Sequence, residues 1–212
     1  MLVIKSSYKD RLDEARKLLD HINTLSDNGG VLESSILKSS YTLLLYNNLE
    51  ATVSSSITYI HEKASHCKYD ELSEEFKILY ARFYHFDISK RKVKDHLDGT
   101  VSGEFKFPNF EEYCKRITIF SGNIDLRSLN EINKNYGIGK IDLRGKNPEN
   151  ILTIKNKRNK LAHGEESFRD SCRHYTSSEL EELGESLEKM LSKFIELVDD
   201  FVKEGRYTVS LC

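Results

Sequence analysis

An all-α, up-and-down helical bundle with an irregular inserted section in the middle is the fold predicted for this 212-residue sequence. Three observations predict it. Apolar residues recur at helical spacing in one stretch after another, no internal repeat or low-complexity segment interrupts them, and only two prolines, Pro108 and Pro148, are present to break helices. With 38% hydrophobic and 31% charged residues, the composition is that of a soluble globular chain able to bury one sizeable core. A single domain over 1–212, with a loop-rich insertion around 98–147, is therefore expected.

Taken in order, Leu12, Ala15, Leu18, Leu19, Ile22 and Leu25 form one helical stripe between Tyr8 and Leu25, with Asp10, Asp13 and Glu14 toward the positive end of the dipole. The run Ser26-Asp27-Asn28-Gly29-Gly30 closes it as a turn. No Walker or G-x-G-x-x-G pattern follows, so the glycine pair does not read as a phosphate loop. The longest helix is expected from about Val31 to His66. Its series Ile36, Ser40, Leu43, Asn47, Glu50, Ser54, Ile57 is an apolar stripe interrupted by polar groups, with Asn47 and Glu50 where core belongs. His61 and His66 do not share a helix face and lack further ligands, so no metal site is expected. Leu72, Phe76, Leu79, Tyr80 and Phe83 define a third helix from about Asp70 to Phe86, its aromatics ordinary core.

The basic run Ser89 to Lys94 reads either as solvated surface or as a phosphate contact. Asp98 to Asn109 reads as a long loop with extended structure around Glu104 to Phe107. Phe110 to Phe120 reads as a short helix in spite of the β-branched Ile117-Thr118-Ile119. After Ser121-Gly122-Asn123, Asp125 caps a helix through Leu126, Leu129 and Ile132 that ends at Tyr136-Gly137. Ile138 to Lys146 is a connector, and Asn147-Pro148-Glu149 opens the next helix with proline at an early position. The last helix begins near Ser177 or Ser178 and stops before Gly205. Its stripe of Leu180, Leu183, Leu187, Met190, Leu191, Phe194, Leu197, Val198 and Phe201 suits a core-facing bundle helix or a dimer seam.

A formal charge of −2 provides no global attraction to nucleic acid, so RNA binding would need a local basic patch. Cys67, Cys114, Cys172 and Cys212 form no C-x-x-C pair, and no secretory h-region or membrane-length apolar run is present. A reduced, cytoplasmic setting without membrane partners is the expectation.

The chemistry is concentrated in Lys157-Arg158-Asn159-Lys160-Leu161-Ala162-His163-Gly164. On a helix, Ile151, Ile154, Arg158 and Leu161 share one stripe, which turns the Arg158 guanidinium inward. A guanidinium stays charged, so this position requires either a carboxylate nearby or a cleft that admits an anion. Glu50, in the other interrupted stripe, is its natural partner. Two readings of Glu50 stand: a cleft residue that positions Arg158 or His163, or half of a structural ion pair. Asn159 and His163, four apart, can hydrogen-bond through their side chains. Gly164 reads as the residue ending the helix, which leaves His163 in the last turn, where the negative end of the dipole favours the imidazolium. A capping or surface role for His163 is the bland alternative.

Arg158-Asn159-x-x-x-His163 resembles the R-x(4–6)-H motif of the HEPN superfamily, all-helical domains found in many prokaryotic ribonuclease toxins. The run from Arg158 to Glu165, followed by Ser167-Phe168, is similar to the bacterial HEPN nuclease branch carrying RNxLAHG. The resemblance implies a helical bundle and an endoribonuclease of toxin or defence type that works as a homodimer. An antitoxin or defence-system partner is implied with it. The chemistry it implies needs neither metal nor cofactor, because RNA carries its own nucleophile, the 2′-hydroxyl. His163 would shuttle the proton, Arg158 would hold the phosphoryl oxygens, Asn159 and Glu50 would complete the catalytic set, and Lys155, Lys157 and Lys160 would form an RNA-binding rim. A HEPN module that binds nucleotides or proteins and cuts nothing is the competing expectation.

Overall fold

A computed structural model describes residues 1–27, 30–88, 93–103, 105–120 and 122–209. Asn28 and Gly29 of the first turn, Ser89 to Lys92 of the basic run, Glu104, Ser121 and Cys212 lie outside the described residues. Among those described, the structure is all α-helical: α1 (Leu2–Asp27), α2 (Val31–Ala64), α3 (Glu74–Ile88), α4 (Val93–Val101), α5 (Phe110–Arg116), α6 (Leu126–Tyr136), α7 (Asn147–Ala162) and α8 (Ser177–Lys203). No helix among the described residues is long and apolar enough to cross a membrane.

Several ends are set by the residues that the sequence nominates. Asp125 Oδ1 accepts from Ser128 N at 2.9 Å while Ser128 Oγ accepts from Asp125 N at 2.8 Å, a reciprocal cap for α6. Thr176 and Glu179 cap α8 in the same way. Elsewhere the structure differs from the expectation. Helix α1 begins at Leu2 rather than near Tyr8, because Ile4 and Tyr8 are buried and extend its stripe by two turns. Tyr69–Glu71 is a separate 3-10 turn whose Glu71 carboxylate folds back onto the Lys68 N–H, so α3 starts only at Glu74. The expected loop from Asp98 is helical as far as Val101. Gly99 sits inside α4 because a Cβ there would stand 2.6 Å from the Phe105 ring, so this glycine marks close packing rather than a turn. Helix α5 ends at Arg116, where Ile117 turns extended with φ −130° and ψ 118°, as its β-branched run favours.

The face of α2 also differs. Asn47 is exposed, and Ile36 is 41% exposed; the buried face carries Tyr41, Thr42, Leu45, Tyr46, Asn48, Leu49, Thr52 and Val53. Small hydroxyl residues on that face hide its hydrophobic period. Asn48 is the inward asparagine, accepting from Arg11 Nε at 3.1 Å and from Thr52 Oγ1 at 3.1 Å.

The chain divides into two compact units. One comprises Met1–Val53, Gly122–Leu129 and Ile141–Ile195; the other comprises Ser54–Ser121, Asn130–Lys140 and Glu196–Cys212. In the first, Tyr8 reaches Ser192 and Arg16 reaches Glu188, while Arg11 reaches Asn48 and Ser26 reaches Ser34; α1 therefore runs antiparallel to both α8 and α2. In the second, Phe76 packs on Phe107, Tyr136, Phe201 and Tyr207.

The second unit also encloses His61, which is fully buried among Phe107, Phe110, Tyr113 and Tyr136. Nδ1 lies 2.9 Å from the Pro108 carbonyl, which can only accept, so Nδ1–H donates and Nε2 accepts from the Tyr136 hydroxyl at 2.7 Å. Burial holds the imidazole neutral and lowers its pKa to about 4. Because the folded pKa lies below the unfolded value, the contribution is complete above about pH 6.5 and is lost as pH falls toward 4. It amounts to about 3 kcal/mol. Urea unfolding should therefore weaken across this window, and an NMR titration should find His61 still neutral at about pH 5.5. A His61 resonance that charges near the ordinary histidine value would overturn this assignment.

Candidate active site

The site is built on α7, which opens with Pro148 in its first turn and buries Ile151, Ile154 and Leu161. Arg158 occupies the same stripe, inward as expected, with 24% of its side chain exposed. Its Nη1 donates to the Gly122 carbonyl at 2.9 Å and to Asn159 Oδ1 at 3.0 Å. The guanidinium stacks over the Tyr46 ring, 4.8 Å from its centroid. Tyr46 is in turn fixed by accepting from Ile124 N at 3.0 Å, and burial raises its phenol pKa, keeping it neutral under the cation.

Glu50, one turn beyond Tyr46 on α2, faces Arg158 as its interrupted stripe predicts. The Nη2 to Oε2 distance is 3.9 Å, well beyond the roughly 2.7–2.9 Å of a charge-assisted hydrogen bond. With 24% and 35% of the two side chains exposed, this is a loose pair at a solvent edge. The second guanidinium nitrogen is thus not tightly engaged by Glu50, and a phosphate oxygen could compete for it.

Helix α7 ends in a Schellman motif: Glu165 N donates to Lys160 O at 2.9 Å and Gly164 N to Leu161 O at 3.2 Å, with Gly164 at φ +70°. His163 is the C-cap residue and is exposed. It lies five positions beyond Arg158, about 7.5 Å along the helix axis. The expected Asn159–His163 hydrogen bond is not formed. The Asn159 amide instead donates to Asn123 Oδ1 and accepts from Arg158, so it orients the guanidinium and not the imidazole. Among the described residues no side chain hydrogen-bonds the His163 imidazole.

The three lysines of the expected rim are each matched by a carboxylate. Lys155 binds Asp125 at 2.6 Å, Lys157 binds Glu166 at 3.0 Å together with the Ser171 carbonyl, and Lys160 binds the other oxygen of Glu166 at 2.6 Å. Hydrogen bonding to Lys160 first, and then to Lys157, lowers the Glu166 carboxyl pKa to about 2, so it stays ionised beside them through the neutral range. Only Lys160 is exposed; Lys155 and Lys157 are part-buried. Ser167 bonds Asp170 in the following turn, and Phe168 stands 39% exposed.

Tyr46, Gly122 and Asn123 complete the cradle of Arg158 without having been expected. Tyr46 could have been found, since it lies four residues before Glu50 on the same helix face. Gly122 and Asn123 carry no signal beyond their use in turns. Among the described residues no group of three or more His, Cys, Asp or Glu side chains is gathered as a metal site.

Chemically, the arrangement offers a rigidly held guanidinium with one less-engaged edge and an accessible imidazole one and a half turns further on. That is an anion-binding group beside a proton carrier. Comparison with curated proteins and with solved structures gives no match. A family match spans residues 3–207, and by it the chain belongs to the MAE_28990-like HEPN family.

Proposed function

We propose that the protein is a metal-independent endoribonuclease of the toxin or defence type. HEPN membership points to nuclease or RNA-related function in general. The observation that carries the finer reading is the intact pairing of a held Arg158 with an exposed His163 whose imidazole forms no side-chain hydrogen bond among the described residues. In this reaction the 2′-oxygen bonds to phosphorus as a neutral imidazole takes its proton, and the bond from phosphorus to the 5′-oxygen breaks. An imidazolium protonates the departing 5′-oxygen, and Arg158 carries the phosphoryl charge that develops. The 2′-hydroxyl supplies the nucleophile, so no metal is required to generate one. Each chain brings one such histidine, and a homodimer with two motif helices across one groove would provide both proton carriers. Asn159 acts by holding the guanidinium, Glu50 balances its charge from 3.9 Å away, and Lys160 is the most accessible lysine for RNA, with Lys155 and Lys157 behind it.

The test is cleavage of single-stranded RNA in the presence of EDTA, with products ending in 2′,3′-cyclic phosphate and 5′-hydroxyl, while a DNA strand of the same sequence stays intact. Activity that disappears with chelator sinks this chemistry. The second reading, a non-catalytic HEPN interaction module for a nucleotide or a protein such as an antitoxin, is favoured by the two carboxylates, Asp125 and Glu166, that engage the three lysines. Binding without any cleavage would select it.

A further inference from the structure

Helices α1, α2 and α8 of the first compact unit line a cavity of about 380 Å³ that includes none of the residues of the Arg158–His163 site. That volume suits a small molecule. Its apolar wall is Leu12, Ala15 and Leu19 of α1 with Leu45 of α2. Tyr41 is the unusual member. It is 3% exposed and lines the cavity, yet among the described residues its hydroxyl has no hydrogen-bond partner. Buried hydroxyls are ordinarily matched. Gly184, in the interior of α8, makes room for this one, because a Cβ there would collide with the Tyr41 hydroxyl. Glycine weakens a helix interior relative to alanine, so the space beside the phenol is kept against the preference of the helix.

The mouth of the cavity is acidic. Asp20 of α1 and Glu181 of α8 are exposed there, and among the described residues neither has a cationic partner. The remaining charges of the lining are matched. Arg16 donates to both oxygens of Glu188 at 2.9 and 3.0 Å and also reaches Asp13, while Glu185 pairs with Lys189 at 3.2 Å. Two negative charges are therefore left over, and their field extends inward: burial first, and Glu181 next, raise the Tyr41 pKa, which keeps the hydroxyl neutral.

We infer that this cavity binds a linear aliphatic diamine, with its methylenes against the leucines and Ala15, one ammonium donating to the Tyr41 hydroxyl, and its two charges balancing Asp20 and Glu181. A phenol oxygen can accept from an ammonium, and an acidic cleft with low-dielectric walls concentrates cations. A divalent metal ion fits less well, since it requires a shell of oxygen ligands and would leave the apolar wall bare.

The test is calorimetric titration of the full chain with butane-1,4-diamine, n-butylamine, butane-1,4-diol and magnesium chloride. The diamine should bind, the monoamine should bind about fivefold or more weakly for want of one ion pair, and the diol and magnesium should not bind. Tyr41→Phe keeps the ring and removes only the unmatched hydroxyl, so its thermal midpoint should be no lower than that of wild type. It should weaken diamine binding by about tenfold or more. Asp20→Asn with Glu181→Gln, at exposed positions that leave the fold intact, should weaken it also and flatten its salt dependence. No binding of the diamine, equal affinity for the monoamine, displacement of the diamine by an equal concentration of magnesium, or a Tyr41→Phe chain with unchanged affinity or a lower midpoint overturns the inference.

Discussion

On the proposed nuclease chemistry, His163→Ala should lower RNA cleavage by about 10²–10⁴-fold, the span that a positioned acid or base supplies. Its stability stays within about 0.5 kcal/mol of wild type. The two halves of this expectation rest on different observations. The rate should fall because the imidazole is exposed and, among the described residues, bonded to no other side chain. The fold survives because what His163 contributes to the end of α7 is backbone, its N–H donating to Asn159 O at 2.9 Å, and alanine retains that bond. Mixing then tests the shared site. If both copies are needed, an equal mixture of wild-type and His163→Ala chains after subunit exchange should run at about a quarter of the wild-type rate, instead of half. Loss in strict proportion to the inactive fraction, or a monomer cutting RNA at full rate, removes the dimeric mechanism while leaving the role of His163 intact. Full activity in His163→Ala removes His163 as the proton carrier.

The approach of Glu50 to Arg158 was legible from Arg158, a charge set in the buried stripe of α7 that calls for a carboxylate, although Glu50 meets it at a solvent edge and not from a core face of α2. The Schellman end of α7 was legible from Gly164 alone. The Asn159–His163 contact was misread because local spacing makes it available, while the amide's real partner, Asn123, comes from a turn 36 residues earlier in the chain. No periodicity reports a contact of that kind. The face of α2 was misread for a related reason. Ser39, Thr42, Thr52 and Ser56 are buried through packing and local hydrogen bonds, so the helix lacks the hydrophobic contrast from which a face is read. The division into two compact units left no trace because it cuts through α2, α6 and α8, each of which supplies residues to both without a proline or glycine at the point where the helix divides.

Arg158→Ala should abolish cleavage and also destabilise the protein by about 1–3 kcal/mol, the cost of leaving polar partners unmatched at a part-buried position. The Gly122 carbonyl loses its donor, Asn159 loses one of its two partners, and the Tyr46 ring loses the cation that covers it. Loss of activity in this variant alone would therefore not separate chemistry from folding, and Arg158→Lys does so. Lysine preserves the positive charge and much of the stem packing but cannot present the planar fork. It should recover more than half of the lost stability while restoring little of the rate. Glu50→Gln is the control for the loose pair. At 3.9 Å, with both side chains partly in solvent, its coupling to Arg158 in a double-mutant cycle should be below about 1 kcal/mol. A stability loss well above that range for Glu50→Gln would make the pair structural and place the guanidinium beyond the reach of a phosphate. Arg158→Lys cleaving at the wild-type rate would show that charge alone suffices, and the bidentate grip on the phosphoryl group would be wrong.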